Sequence, residues 1–299
     1  MHVGAVLAAA LSAAACARTE GTSPAAELRA PAQRLTLPFP QAATLRLEWV
    51  PRVPRADLGP QPTIFVHLLD AKGEIARTFD HEIAGAAWQP ARPLVDEVVV
   101  AHSLLAAPLA PGRYALTAGL YEPGGERYRL ASDLPRSGKE EYQVAQVEVP
   151  AAGPLAWSAG FDGEWLPIEA GGDLQTPARR WLAQAGDLRL GPLAGPHRVG
   201  FVVHLPLELA DSELVLEPGG TSPRALLDSD CAPQPIEISE AGIHRAVLAL
   251  EPPAGGVCTV ALRCNFRWLD PVTGGSRALS IEELTVTPVR DAPPQVASP

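Results

Sequence analysis

Apolar residues recur along this chain in short runs with a period of two, and turn residues separate the runs. Between positions 35 and 149 the runs are LRLEWV (45–50), TIFVHLL (63–69), EIARTF (74–79), VDEVVVAHSLL (95–105), RYALTAGLY (113–121) and YQVAQVEV (142–149). Such alternation puts one face of a strand on a core and the other toward water. DAKGE (70–74) and EPGGE (122–126) read as hairpin turns whose glycines tolerate positive φ. Short strands with a turn about every ten residues predict an immunoglobulin-like β-sandwich. PAAGP (150–154) is a linker. A second series follows: DLRLGPL (187–193), RVGFVVHLPL (198–207), SELVLE (212–217), PIEIS (235–239), HRAVLAL (244–250), VCTVALRCNF (257–266) and LSIEELTVTP (279–288). It predicts a second sandwich, of jelly-roll type, over 155–288. Residues 289–299 read as a frayed tail. The fold class is therefore all-β, with two sandwich domains at 35–149 and 155–288.

Composition sharpens this picture. The chain has 32 prolines and 26 glycines in 299 residues, which breaks helices and favours short strands. Its length allows two cores of ordinary size. The formal net charge of −10 repels phosphate backbones, which excludes nucleic acid as a partner.

The N-terminus carries a different signal. Val3 to Ala15 is an apolar run that ends in three alanines before Cys16. It is too short to span a bilayer permanently and has the length of a signal-peptide core, so 1–15 reads as a signal peptide. The Ala-Ala-Ala-Cys ending resembles a bacterial lipobox, in which the cysteine becomes the acylated first residue. Ala13 stands where leucine is commonest, and the only polar residue ahead of the run is His2. The resemblance implies an exported protein of the bacterial cell envelope, anchored to a lipid membrane through Cys16. Residues 16–34 then form an alanine-rich flexible tether.

Export implies an oxidising compartment. Cys231, Cys258 and Cys264 remain, an odd number, so one stays free or pairs outside the chain. Cys258 and Cys264 lie on one strand and share its face, but six residues of strand hold them roughly 20 Å apart. Cys231 therefore pairs with Cys258, the preferred partner, or with Cys264.

Residues 62–83, PTIFVHLLDAKGEIARTFDHEI, concentrate polar chemistry. On a strand, His67 shares a face with Phe65 and Leu69, which reads as a core histidine. Asp70 opens a turn. Asp80, His81 and Glu82 are consecutive and alternate across the sheet, whereas a metal site needs three or four groups aimed at one point. The stretch reads as a structural hairpin, with no metal and no cofactor. Nucleophilic catalysis finds no support either. There is no G-x-S-x-G elbow and no H-E-x-x-H, and neither the His102–Ser103 nor the Asp96–Glu97 neighbours share a face. The chain reads as a non-enzyme.

The order of residues in the first half resembles a known family. An F-V-H-L strand, an aspartate, a glycine turn and an acidic return are followed by a tryptophan, an aspartate-led strand and a Pro-Gly-x-Tyr strand leading to G-L-Y-x-P. Here these are Phe65, His67, Asp70, Gly73, Asp80, Trp88, Asp96, Pro111, Gly112, Tyr114, Gly119, Tyr121 and Pro123. They look like the β-sandwich accessory domain at the periplasmic end of bacterial membrane mannosyltransferase-like (dolichyl-phosphate-mannose-type) glycosyltransferases. Arg-Thr-Phe-Asp-His-Glu replaces the family's usual Gln-His-Asp return. In the second half, GEWLPIE (163–169) with RRW (179–181), and RWLDPVTGGSRALSIEELTV (267–286), resemble the opening and closing segments of a carbohydrate-binding-like jelly roll in the same proteins, with Ser280 in place of a glycine. The sequence holds no counterpart of their polytopic catalytic domain.

Sugar rings stack on tryptophan while polar neighbours bond their hydroxyls. Trp268 runs from a strand into the loop LDPVTGG, and Arg277 lies beyond it, so this pair is the candidate glycan site. Trp165 and Trp181 instead read as core residues, with Arg180 bonding Glu169. Two functions follow: a lipid-anchored glycan-binding or accessory module, or a scaffold lipoprotein contacting an envelope glycosyltransferase or another envelope protein. A concave surface with exposed tryptophan favours the first, and a flat apolar edge the second. Two facing carboxylates in a cleft would favour an enzyme. The anchor is directly testable, because stable anchoring needs more than one acyl chain. Cys16→Ser is expected to move the protein out of the membrane fraction. Unchanged fractionation, with no acyl mass on the mature N-terminus, would reject the lipoprotein.

Overall fold

A computed structural model describes residues 23–83, 85–170, 178–253 and 255–289. The signal peptide, Cys16 and positions 290–299 of the tail lie outside the described residues. The first sandwich contains β1 (Ala26–Arg29), β2 (Gln33–Thr36), β3 (Ala42–Pro51), β4 (Thr63–Leu69), β5 (Ile75–Thr78), β6 (His81–Glu82), β7 (Leu94–Ala101), β8 (Gly112–Tyr121), β9 (Leu130–Ala131), β10 (Arg136–Gly138) and β11 (Glu141–Val149). One sheet runs β7-β3-β1-β9. The other runs β10-β11-β8-β4-β5, with β2 added to β11 and β6 to β4. The alternation predicts the core: Leu45, Leu47 and Trp49 of β3 face Ile64, Val66 and Leu68 of β4. The turn after β4 forms as read, with Gly73 at φ 82° and the Asp70 carboxylate accepting the amides of Lys72 and Glu74 at 2.8 and 2.9 Å.

One boundary needs correction. The tether predicted over 16–34 is structured from Ala26. β1 pairs antiparallel with β3 and parallel with β9, and β2 pairs with β11. Ala26 and Leu28 are buried, and their two-residue alternation is too short to register as a pattern.

The second sandwich contains β12 (Ser158–Glu169), β13 (Arg179–Gly191), β14 (His197–Leu205), β15 (Glu213–Leu216), β16 (Ala225–Ser229), β17 (Ile236–Ile238), β18 (Gly242–Leu250), β19 (Cys258–Cys264), β20 (Phe266–Leu269), β21 (Ser276–Arg277) and β22 (Leu279–Pro288). Its large sheet runs β17-β16-β19-β13-β22-β14-β18, with β12 on β13, and β15-β20-β21 form a small sheet. The long strand β13 links two parts of the large sheet. Residues 180–182 pair with β22 and residues 185–190 with β19. A strand that changes partners at a bend is how sandwiches turn corners. The all-β fold class stands.

The junction between the sandwiches is not confined to the linker. The predicted strand 95–105 stops at Ala101, and residues 102–105 leave the first sandwich for the second. Leu104 donates its amide to the Leu284 carbonyl at 2.7 Å, and the Leu284 amide donates to Ser103 Oγ at 3.1 Å. Nearby, the Val286 amide reaches the Pro40 carbonyl at 2.8 Å, and the Ala42 amide reaches Thr287 Oγ1 at 3.2 Å. Leu105 is buried within the second sandwich's core. His102 anchors the departure: its Nδ1 meets the Leu37 carbonyl at 3.3 Å, and its Nε2 accepts the Leu109 amide at 2.8 Å. Burial lowers its pKa below the ordinary histidine value, which favours the neutral ring that this pair of bonds requires.

Cys231 and Cys258 form a disulfide, and Cys264 is a buried free thiol. Cys258 and Cys264 both point inward, as the period-two argument requires. Burial, with a smaller contribution from the negative charge of Glu217, pushes the Cys264 thiol up to about 12. The disulfide closes a loop with a sequence separation of 27 residues. In the chain-entropy argument such a loop contributes about 3 kcal/mol. Cys231→Ser is expected to cost that amount in urea unfolding. Cys264 is expected to resist thiol reagents at pH 8 until the protein is denatured. Rapid labelling of native protein at Cys264, or three free thiols in protein purified under oxidising conditions, would contradict this arrangement.

Candidate functional site

The polar stretch 62–83 resolves into two pairs on opposite sides of its sheet. His67 Nε2 lies 3.5 Å from Asp80 Oδ1, which also accepts the Val66 amide at 3.1 Å. His81 Nε2 lies 3.1 Å from Asp96 Oδ2, and Trp49 Nε1 donates to the same oxygen at 3.3 Å. Burial lowers the His81 pKa, but the Asp96 carboxylate and the Phe79 carbonyl outweigh it, so the net shift is upward. Several residues that carry the family resemblance gather on the outward face of β4 and β8. There the Arg127 guanidinium covers the Phe65 ring at 4.3 Å and donates to Glu141 at 2.7 Å, which also accepts from Thr117 at 2.6 Å. Gly119 is required at that point, because a Cβ would collide with the Phe65 ring and the Glu140 carbonyl. The stretch is a structural hairpin as read, but His67, expected in the core, lies with Phe65 on the outward face, while Ile64, Val66 and Leu68 enter the core.

The one place among the described residues where three ligand-type atoms approach within 4.8 Å is Asp230, Cys231 and Cys258. The two sulfurs there are bonded to each other, so they offer no thiolate. Asp230 is occupied as an acceptor for the Thr259 amide at 2.8 Å.

The candidate glycan pair Trp268 and Arg277 requires correction. They are cross-strand neighbours on β20 and β21, but Trp268 is only 7% exposed and belongs to the second core. β20 is the middle strand of the small sheet, between β15 and β21, and its Trp268 turns toward the second core. Arg277 is partly exposed, yet it donates to Glu169 at 3.2 Å and lies 5.3 Å from the Trp181 ring centre. Arg179 stacks on the same ring at 5.2 Å and reaches Glu169 at 2.9 Å, and Trp181 Nε1 donates to Glu169 at 3.1 Å. Trp181 is buried, but between the Arg179 and Arg277 guanidiniums and outside the apolar cluster of the second core where it was expected, and Glu169 bonds Arg179 and not Arg180. Arg180 lies over the Phe161 ring at 4.1 Å, on the side of β12 where Trp165 also packs.

The concave site lies elsewhere, between the sandwiches. A cleft of about 670 Å³ is walled by β5 and the 103–107 segment of the first sandwich, by the outer face of β14, β18 and β22, and by the ends of β12 and β13. From the first sandwich come Arg77, Asp80 and Tyr121, and the Tyr121 hydroxyl faces Asp80 Oδ2 at 3.4 Å. From the second come Arg245, Glu282 and Glu283, with Ile168, Val202 and Ile243 as apolar wall. Arg245 meets Glu283 at 3.5 Å. Burial raises the pKa of both glutamates, and burial lowers that of Arg77. Desolvated donors and acceptors set in an apolar wall, at a junction of two domains, are the features of a ligand site. The cleft is not legible in the sequence, since its polar groups come from strands over 120 residues apart. The one local signal was the acidic pair in the apolar run LSIEELTV.

No family model matches the chain, and no curated protein matches it. Solved structures align over most of its length. The mosquito-larvicidal Cry4Aa toxin from Bacillus thuringiensis aligns with 82% of this chain and 44% of its own, at 7% identity and a TM-score of 0.29. A carbohydrate-binding module of the β-sandwich superfamily aligns with 89% of this chain and 99% of its own, at 9% identity and a TM-score of 0.24. The secreted serine protease VesC from Vibrio cholerae aligns with 88% of this chain and 51% of its own, at 9% identity and a TM-score of 0.23. The chain therefore spans about half the length of the toxin and the protease. TM-scores this low carry no functional argument.

The burial of Trp268 has a measurable consequence. Removing a packed indole costs about 3–5 kcal/mol through lost transfer energy and the cavity left behind. Trp268→Ala is expected to lower the unfolding midpoint by many degrees. A folded variant with an unchanged midpoint would mean that Trp268 is not core.

Proposed function

We propose that this is a non-enzymatic protein of the bacterial envelope, tethered through Cys16, that binds a glycan in the cleft between its two sandwiches. The observation that carries the reading is the lining of that cleft. Carboxylates, guanidiniums and a phenol from both sandwiches converge on it, interleaved with aliphatic wall, and planar polar groups beside apolar surface suit a ring that is polar at its edge and apolar on its faces. The polar groups are also held in place. Asp80 faces Glu282 and Glu283 across the cleft, the arrangement that would favour an enzyme, but Asp80 is engaged by Val66, His67 and Tyr121 and Glu283 by Arg245, which supports the binding reading. The Cys231–Cys258 disulfide supports an oxidising location. The site differs from the Trp268–Arg277 pair expected from sequence.

One observation favours a protein partner instead. β18 is the last strand on its side of the large sheet, and Ile243 and Val247 on it are 65% and 56% exposed. An apolar edge strand is a template for strand addition.

Isothermal titration of the mature protein against a glycan panel discriminates the two. A site of this kind is expected to give a Kd near 10⁻⁴ M, roughly −5 kcal/mol. Tyr121→Ala and Arg245→Ala are each expected to weaken it at least tenfold, with the thermal midpoint moving by a few degrees at most. If no glycan binds, or if both variants bind as the parent does, the cleft is not a glycan site.

A further inference from the structure

We infer that the occupant of the cleft carries a protonated amine, and that Glu282 is the residue that selects it. The inference rests on the glycan reading above and narrows it to amine-bearing sugars.

The geometry begins with an irregularity in β22. Its pairing with β14 runs regularly to Val202↔Glu283 and resumes at Val203↔Ile281, so Glu282 is skipped. That extra residue is a β-bulge, which re-aims side chains. In an unbroken strand, Glu282 and Glu283 would face opposite sides, and one would enter the core. With the bulge both line the cleft.

The two glutamates then differ in one respect. Glu283 has Arg245 at 3.5 Å. The closest basic group to Glu282 among the described residues is His204 Nδ1 at 3.7 Å, too far for a hydrogen bond, although the Glu282 side chain is only 13% exposed. The other charged groups around it are already engaged. The Arg77 guanidinium donates to the carbonyls of Ala76 and Ala107 at 2.8 and 2.7 Å. Arg179, whose charge also acts on Glu282, is bonded to Glu169. Asp80 and Tyr121 face each other across the cleft wall. Arg77 and Arg245 against Asp80, Glu282 and Glu283 leave the cleft acidic, and with Asp80 paired to His67 and Glu283 to Arg245, Glu282 is the carboxylate left without a hydrogen bond among the described residues.

A part-buried carboxylate without a hydrogen bond is costly, and a neutral hydroxyl donor offsets only part of that cost. An ammonium offsets far more, because it supplies a charge-assisted hydrogen bond. A metal ion does not suit the site, since among the described residues no three ligand atoms converge there. Burial raises the Glu282 pKa, as expected for a carboxylate awaiting its counter-charge.

The test uses the mature protein with two probes of equal length, a glucosamine oligomer with free amines and its fully N-acetylated counterpart. The free-amine oligomer is expected to bind at least tenfold tighter at pH 7. Glu282→Gln should remove that preference while leaving the acetylated oligomer's affinity within about twofold. Acidification should weaken the amine ligand and not its acetylated counterpart, because the raised pKa lets Glu282 take up a proton sooner than an ordinary carboxylate does. Without ligand, the linkage has a definite sign. A carboxyl whose folded pKa is raised stabilises the fold below its unfolded pKa and loses that contribution as pH rises through the folded value. Glu282→Gln should therefore raise the thermal midpoint by a few degrees at pH 7.5 and leave it unchanged near pH 4. Equal binding of the two probes, or a preference that survives in Glu282→Gln, overturns the inference and leaves the glycan reading in place. Binding of neither probe, with other glycans bound, overturns the inference alone. Binding of no glycan at all overturns both.

Discussion

The burial of Leu105 in the second sandwich is the interaction on which the arrangement of this protein depends. A fully buried leucine contributes about 1.5–3 kcal/mol, and the hydrogen bonds that flank it contribute roughly 1 kcal/mol each. Those bonds use backbone groups of Leu104 and Leu284, and of Pro40 and Val286, which would otherwise be left unpaired at a closed interface. The result is a joint made by main chain, and main chain has little freedom to re-register. The walls of the cleft, supplied by β5 on one side and β14, β18 and β22 on the other, are thereby set relative to one another before any ligand arrives. Pre-organisation of this kind lowers the ordering cost of binding.

Offsets of a single residue decide much of the chemistry. On β13, Arg179 and Arg180 are adjacent, and Glu169 is registered opposite Arg179. Arg179 therefore joins the Glu169–Trp181–Arg277 cluster, while Arg180 passes to the other face and covers Phe161. The same rule separates Asp80 from His81, so that one meets His67 and the other Asp96. At Glu282 the rule is broken by a bulge, and two neighbours reach one cleft. A strand's period of two makes each of these outcomes all-or-none.

Some buried polar groups go without hydrogen bonds among the described residues: His67 Nδ1, Trp268 Nε1 and Ser280 Oγ. Trp268 illustrates the tension best. Its ring fills the second core, yet its N–H finds no acceptor, which costs about 1–3 kcal/mol against the gain from packing the indole. Packing prevails because the ring projects from the sheet into the apolar cluster of the second core.

What was legible in the sequence is what neighbours along the chain determine. Alternation located most strands, including β3, β4, β8, β11, β18 and β19, because inward and outward positions are set by backbone pleating alone. The same geometry made Cys258 and Cys264 share a face without being able to bond, and left Cys231 as the bridging partner. Turn chemistry placed Asp70 and Gly73 correctly. What the tertiary structure alone decided depends on which strands lie side by side. β1 and β12 carry weak alternation and exist because β3 and β13 offer them paired edges. Trp268 stands before a loop in sequence, but pairing of β20 with β15 and β21 forms a sheet whose inner face turns its ring into the second core. The cleft has no counterpart in the sequence, because its Asp80 and its Glu283 are brought together only when residues 102–105 leave one sandwich to seal the other.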